Sequence, residues 1–184
     1  RRPPDIARPI SVLEGYGLLA RDPDPFRSGR SRYRVTEPLI GFYQAIMRST
    51  WSRLEHGHGA RVWYESAKRF SALVVQPHFA TLCRRFAATA PGKLFGDLPD
   101  GPMVVGTGLV ADPTRRTQLQ IDVAMLAPTE PGQPRRVLSL GEARWDEVMN
   151  LEHLTRLRRA RDLLHGRGYQ IDETSRIEGT VRSD

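Results

Sequence analysis

The sequence predicts an α/β (α+β) protein, and three observations carry that expectation. As far as about residue 90, apolar residues recur at helical spacing, as in Leu39, Phe42, Tyr43, Ile46 and Met47. From Met103 to Trp145 the pattern changes to short apolar and alternating runs separated by Pro- and Gly-containing turns. A leucine-spaced stretch over 148–165 then ends on Gly166, a typical helix stop.

Taken in order, residues 9–19 read as one short helix ending near Gly15 or Gly17. Asp22-Pro23-Asp24-Pro25 and Ser28-Gly29 punctuate a hairpin tip, and Arg32-Tyr33-Arg34-Val35 alternates as its second strand. Glu37-Pro38 starts a helix with Pro in its first turn. His56-Gly57-His58-Gly59 breaks it from a second helix over about 60–75, and Gln76-Pro77 restarts a third from His78 to about Ala90, with Phe79, Leu82, Cys83 and Phe86 on its apolar side. Strands follow at Met103–Val110, Gln118–Leu126 and Arg136–Trp145, with a turn at Asp112-Pro113-Thr114 and a loop from Pro128 to Pro134. In the helix over 148–165, Leu151, Leu154, Leu157 and Leu164 face inward and Arg156, Arg158 and Arg159 outward. Tyr169-Gln170-Ile171 adds a short last strand before a frayed tail after Glu173.

Composition narrows the function. Among 184 residues, 39% are hydrophobic and 27% charged, which is globular rather than disordered composition. No apolar run approaches the roughly 20 residues of a membrane span, no signal peptide is visible, and a lone Cys83 excludes a disulfide framework; a cytoplasmic location is the expectation. The net charge is +7, and up to Val35 eight Arg face four acidic residues. An excess of this kind suits a polyanion, and Arg30, Arg32 and Arg34 on the hairpin are the expected phosphate contacts. Lys68 precedes Arg69 and Lys93 precedes Leu94, so no G-x-x-x-x-G-K-[ST] loop, and hence no ATP site of that kind, lies in this chain.

The residues with the most specific chemistry are two carboxylates. Asp122 interrupts one apolar strand, Glu142 lies near the end of the next, and Arg144 shares a strand face with Glu142 at i+2. If those strands are neighbours, the three groups converge. A pair of carboxylates is a hard oxygen site for Mg²⁺ or Mn²⁺, and a nearby cation stabilises charge in a phosphodiester transition state.

Ile121-Asp122-Val123 followed by Gly141-Glu142-Ala143-Arg144-Trp145 resembles the core of the PD-(D/E)XK nuclease superfamily, with its Asp…Glu-x-Lys pattern. More closely, the chain is similar to the C-terminal region of the prokaryotic DEXX-box ATPases. There a winged helix follows the ATPase module, then an aromatic "D-P-x-L-x-F-W" helix, then a nuclease-like domain with "E-I-D" and "G-E-x-K-W" strands. Tyr33 to Tyr43 stands in for the first signature, and the likeness runs from about residue 9 to about 165. It implies a partial winged-helix segment (1–36), a helical connector (37–75) and a restriction-endonuclease-like domain (76–184), whose three- or four-stranded sheet is flanked by helices. It implies Asp122, Glu142 and Arg144 as the catalytic set, with Asp122 and Glu142 as Mg²⁺ ligands.

Three departures shape the functional expectation. Ala80 follows Phe79 where the family commonly has Glu, Arg144 replaces the Lys, and Glu37 replaces the Asp before Pro38. Arg is not a compact ammonium, and it can close onto the carboxylates as a bidentate pair. The expectation is therefore a nuclease-like interaction and regulatory domain of a prokaryotic ATPase, catalytically degenerate, with an upstream ATPase domain and DNA as partners and no membrane. An active Mg²⁺-dependent endonuclease and a winged-helix DNA-binding module are the alternatives. Among the remaining residues, His56 and His58 read as loop, Cys83 as packed in its helix, and the Arg run over 156–161 as a solvated face. Trp51, Trp63, Tyr64 and Phe70 read as helical core.

Overall fold

The computed structural model describes residues 6–89, 103–129 and 131–180, and its backbone forms two compact units. One runs to Asp22 and takes up again over Ser31–His78; the other holds Pro23–Arg30 and everything described from Phe79 onward. The expected helix end at Ala90 lies outside the described residues.

In the first unit, α1 (Ala7–Gly15) ends where Gly17 takes a φ of 69°, a left-handed turn that a Cβ disfavours. Gly17 N–H donates to Glu14 O and Leu18 N–H to Leu13 O, the paired bonds of a Schellman stop. Strands β1 (Leu19–Pro23) and β2 (Ser31–Val35) form a two-stranded hairpin. Glu37 caps α2 (Pro38–Phe42) by accepting from Leu39 N–H, and a π-turn (Tyr43–Met47) leads into α3 (Arg48–Glu55). Helical backbone then runs without interruption through α4 (Gly59–Phe70), a second π-turn (Ser71–Val75) and α5 (Gln76–Thr89). The break expected at Gln76-Pro77 is absent. Proline lacks an N–H and crowds the carbonyl four residues earlier, and the wider π-turn before it relieves both demands without ending the helix.

Ala45, Ile46 and Val62 form the small core of this unit, with Phe42, Leu54, Phe70 and Val74 packed against it. That volume cannot hold the rings assigned to it from sequence. Phe70 packs edge-on against Phe42 and Trp63, but Trp51, Trp63 and Tyr64 are exposed, Tyr64 by 85%.

The second unit is a four-stranded mixed sheet with helices on both faces. Its strands are β3 (Val104–Asp112), β4 (Thr117–Leu126), β5 (Arg136–Ala143) and β6 (Gln170–Thr180), in that spatial order. The first two pairings are antiparallel and β5–β6 is parallel, so the chain must cross over between β5 and β6; α6 (Leu151–His165) makes that crossing. Beyond Glu173 the chain continues in β6 to Thr180 instead of fraying. Strand β5 is central and covered on both sides, so Val137, Leu138, Ser139 and Leu140 are all buried instead of alternating with exposed positions. Leu157, Ala160 and Leu164 of α6 pack on Val110, Ile121, Ala124, Leu126, Val137 and Leu140. On the other face Cys83 and Ala87 of α5 meet Val123, Met125 and Leu138. Three inward assignments are corrected: Leu151 is 79% exposed, and so are Leu82 and Phe86 of α5 in large part, because the sheet meets the helix along its small residues.

The hairpin tip belongs to this sheet unit. Asp24 accepts from Phe26 N–H at 2.9 Å and from the edge-strand Leu109 N–H at 3.3 Å. Arg135 donates to Pro25 O at 2.8 Å, and Phe26 stacks edge-on with Tyr169 at 6.0 Å beside the α6-side core. A Cβ on Gly108 would stand 2.5 Å from the Phe26 ring, so only glycine admits the tip there. The tip thereby covers the β3 edge, which would otherwise offer unpaired backbone groups.

Phe26→Ala is expected to cost about 2 kcal/mol, below the 3–5 of a fully buried ring because Phe26 is half-buried. Gly108→Ala should destabilise at least as much by expelling the same ring, and chemical denaturation of both variants checks this. A fragment beginning at residue 76 lacks the tip altogether and should melt well below the full chain.

Candidate functional site

Local backbone geometry decides where Asp122 points. The β3–β4 register passes from Gly106↔Ala124 to Gly108↔Ile121, so Thr107 alone faces both Asp122 and Val123. This is a β-bulge, a device that re-aims side chains. Thr107 Oγ1 donates to Ile121 O at 2.9 Å and fixes the bulge from the β3 side. On the other side of β4, Val123 pairs with Gly141, which brings the next residues, Asp122 and Glu142, opposite each other on neighbouring strands.

The three expected site residues come together. Arg144 Nη1 lies 3.8 Å from Asp122 Oδ2, and Arg144 Nη2 is in direct contact with Glu142 Oε1. Two partners of Asp122 occupy its oxygens: Gln120 Nε2 donates to Oδ1 at 2.8 Å and Ala143 N–H to Oδ2 at 3.1 Å. Its carbonyl accepts from Arg84 Nη1 of α5 at 3.1 Å, and Arg84 Nη2 donates to Thr81 Oγ1 at 3.0 Å. Ala80, the position beside Thr81, is buried and carries no acid.

Glu142 has no exposed surface, and Arg156 of α6 reaches the same Oε1 that Arg144 contacts. Arg156 was expected to face solvent. Glu142 Oε2 and Arg156 Nε are buried without a hydrogen-bond partner. At the rim, Glu147 Oε2 lies 3.7 Å from Arg144 Nε, and its Oε1 is 3.6 Å from His153 Nε2. His153 is held by the α6 cap, in which Asn150 Oδ1 accepts from the N–H groups of Glu152 and His153 while Asn150 N–H donates back to His153 Nδ1.

These residues fit Mg²⁺ poorly: the guanidiniums of Arg144 and Arg156 lie against Glu142 Oε1, where a divalent ion would have to displace them, and both Asp122 oxygens already accept from Gln120 Nε2 and Ala143 N–H. Among the described residues, no group of three or more His, Cys, Asp and Glu could hold a metal ion.

A third buried carboxylate escaped the sequence reading. Asp112, at the end of β3, accepts from Arg159 Nε and Nη2 at 2.9 and 3.0 Å and from the N–H groups of Thr114 and Arg115 at 3.2 Å. Arg159 also was expected to face outward. Its two hydrogen bonds, helped by the backbone donors, lower the Asp112 pKa from 3.8 to about 2. The available signal was Asp-Pro-Thr, in which an Asp before a turn accepts from the backbone that follows.

The expected nucleic-acid contacts separate. Arg30 and Arg32 are exposed, whereas Arg34 is half-buried and pairs with Asp22 at 2.9 Å across the hairpin. No family model, curated protein or solved structure matches this chain.

Because the Asp112 pKa is lowered on folding, its contribution is complete above pH 4 and lost as the pH falls from 4 towards 2. Acid titration of Asp112→Asn should show a shallower loss of stability in that window than the wild type. Glu142→Ala strands two cations, and denaturation should give a loss of about 2–3 kcal/mol. This is below the full figure for a broken buried pair because both guanidiniums reach solvent.

Proposed function

We propose that this chain is the nuclease-like C-terminal region of a prokaryotic ATP-binding ATPase of the DEXX-box type. In this reading it serves as an interaction and regulatory domain, its PD-(D/E)XK-like centre is degenerate, and ATP is handled by another part of the protein. One observation carries the degenerate reading: Glu142, in the position of the motif's second acid, is buried and shared between Arg144 and Arg156. The order of the strands and the opposition of Asp122 and Glu142 support the nuclease-like assignment; the engaged oxygens argue against an active centre.

Supercoiled plasmid incubated with the protein in Mg²⁺ and in Mn²⁺ should remain uncut. Cleavage by the wild type that disappears in Glu142→Ala would overturn the degenerate reading in favour of an active endonuclease.

The exposure of Arg30 and Arg32 supports a further reading, DNA binding through the hairpin. Duplex binding that uses them should weaken steeply with salt, as each neutralised phosphate releases counterions. Arg30→Ala with Arg32→Ala should lower affinity at fixed salt and flatten that slope. Arg34→Ala should act mainly on hairpin stability, because Arg34 is tied to Asp22.

A further inference from the structure

We infer that the outer face of α4 is a docking surface for an acidic, amphipathic helix of a partner protein. This face is far in sequence from Asp122 and Glu142, and nothing about it depends on the nuclease-like reading.

Helix α4 is apolar on two sides. Val62 and Phe70 turn one side to the small core of the first unit. On the other, Ala60, Trp63, Tyr64 and Ala67 stand at i, i+3, i+4 and i+7, and all four are exposed. A helix with only one neighbour to meet carries polar residues on its free side. Here Trp63 is 50% and Tyr64 85% exposed. Single exposed rings are ordinary, but two rings and two alanines in one stripe mark a contact surface.

Shape narrows the occupant. Around the helix the alanines lie between the two rings, about 10 Å apart along the axis, and leave a shallow floor that the ridge of another helix can enter. Trp63 is braced edge-on against Phe70 at 5.0 Å, so this ring is held before a partner arrives.

Charge then selects among helices. Arg61 and Lys68 stand three residues before and four after Tyr64, and so border the stripe on one flank. Glu65, the acid beside them, is shared between Arg61 and Arg53 at 2.8 Å each. Lys68 is exposed and makes no ion pair among the described residues. Three cations thus stand with one carboxylate. A second copy of α4 laid antiparallel on the stripe would set cation flank against cation flank, which is repulsive. A helix with Asp or Glu beside its apolar seam satisfies both the stripe and the flank. Nucleic acid also brings negative charge, but bases bind by stacking flat on open rings, and the alanine floor gives them no such plane.

The probe is a labelled synthetic helix of about 20 residues, long enough to hold its fold, with leucines at i, i+3, i+4 and i+7 and glutamates on both flanks. Fluorescence anisotropy measures its binding to the full chain, beside a counterpart with lysine for every glutamate and a thymidylate oligomer of about 20 nucleotides. The acidic helix should bind, more weakly as salt is added, and the basic one should not. Tyr64→Ser, at a position too exposed to matter to the core, should lose about tenfold or more. Ala67→Gln, which fills the floor without adding charge, should lose affinity as well. Lys68→Glu should weaken the acidic helix and strengthen the basic one. Arg69→Glu, the same charge change on the opposite side of α4, should move either by less than about twofold.

Equal binding of the two helices, no binding of the acidic one, or an unchanged affinity in both Tyr64→Ser and Ala67→Gln overturns the inference. Thymidylate binding that Tyr64→Ser abolishes overturns it in favour of a single-stranded nucleic-acid surface. A dimer in sedimentation that the same variant dissolves overturns it in favour of a second copy. Plasmid cleavage is indifferent to all of these outcomes, so the two readings fail separately.

Discussion

A carboxylate with no exposed surface stays ionised in a sheet only with cations or other donors beside it, and much of this unit's architecture follows from Glu142. Its position on the central strand β5 puts it under α6, and α6 answers with Arg156. One helical turn further along, Arg159 performs the same office for Asp112 at the end of β3. The i, i+3 spacing places both arginines on one side of the helix, next to the Leu157–Ala160–Leu164 stripe that supplies the apolar contact. Apolar packing would hold α6 against the sheet at several registers. Two fixed ion pairs select one, because a shift along the helix axis would strand both buried acids at once.

The β4 bulge and the glycines of β3 belong to one local solution. Opposite the bulge, β3 reads Gly106-Thr107-Gly108: the threonine hydroxyl takes the Ile121 carbonyl, and the flanking glycines leave room for Pro25 and Phe26. The segment that aims Asp122 towards Glu142 is thus the same segment on which the hairpin tip is seated. A larger residue at 108 would displace Phe26, expose the β3 edge and loosen the strand that backs the bulge. Site geometry and edge protection are for this reason coupled through three residues.

Much of this was legible in the sequence. Strand alternation located β3, β4 and β5, the Gly166 stop located the end of α6, and the Asp122…Glu142-x-Arg144 spacing brought those three groups together. What escaped has physical causes. An arginine at Arg156 or Arg159 looks solvated on a helical wheel, and only the facing strand reveals a buried acid that needs it. The rings of Trp51, Trp63 and Tyr64 look like core until the enclosed volume, Ala45, Ile46 and Val62, proves too small for them. Pro77 looks like a boundary because the usual helix cannot contain it, and a π-turn is invisible to a 3.6-residue period. The seating of the tip is a contact between residues 24 and 109, which no local pattern encodes.

The scarcity of lysine gains a structural meaning from these contacts. All but two of the 28 basic residues are arginine. In the sheet unit, arginines bind carbonyls of Pro25, Ala111 and Asp122 and the carboxylates of Asp112 and Glu142. Each is a position where a flat, weakly hydrated, multi-donor head fits and an ammonium would carry its water inward. The count of 28 basic residues therefore overstates the cation available to a distant polyanion, since several of these guanidiniums are held by the protein's own acids. What remains for a ligand is set by local imbalance rather than by the total.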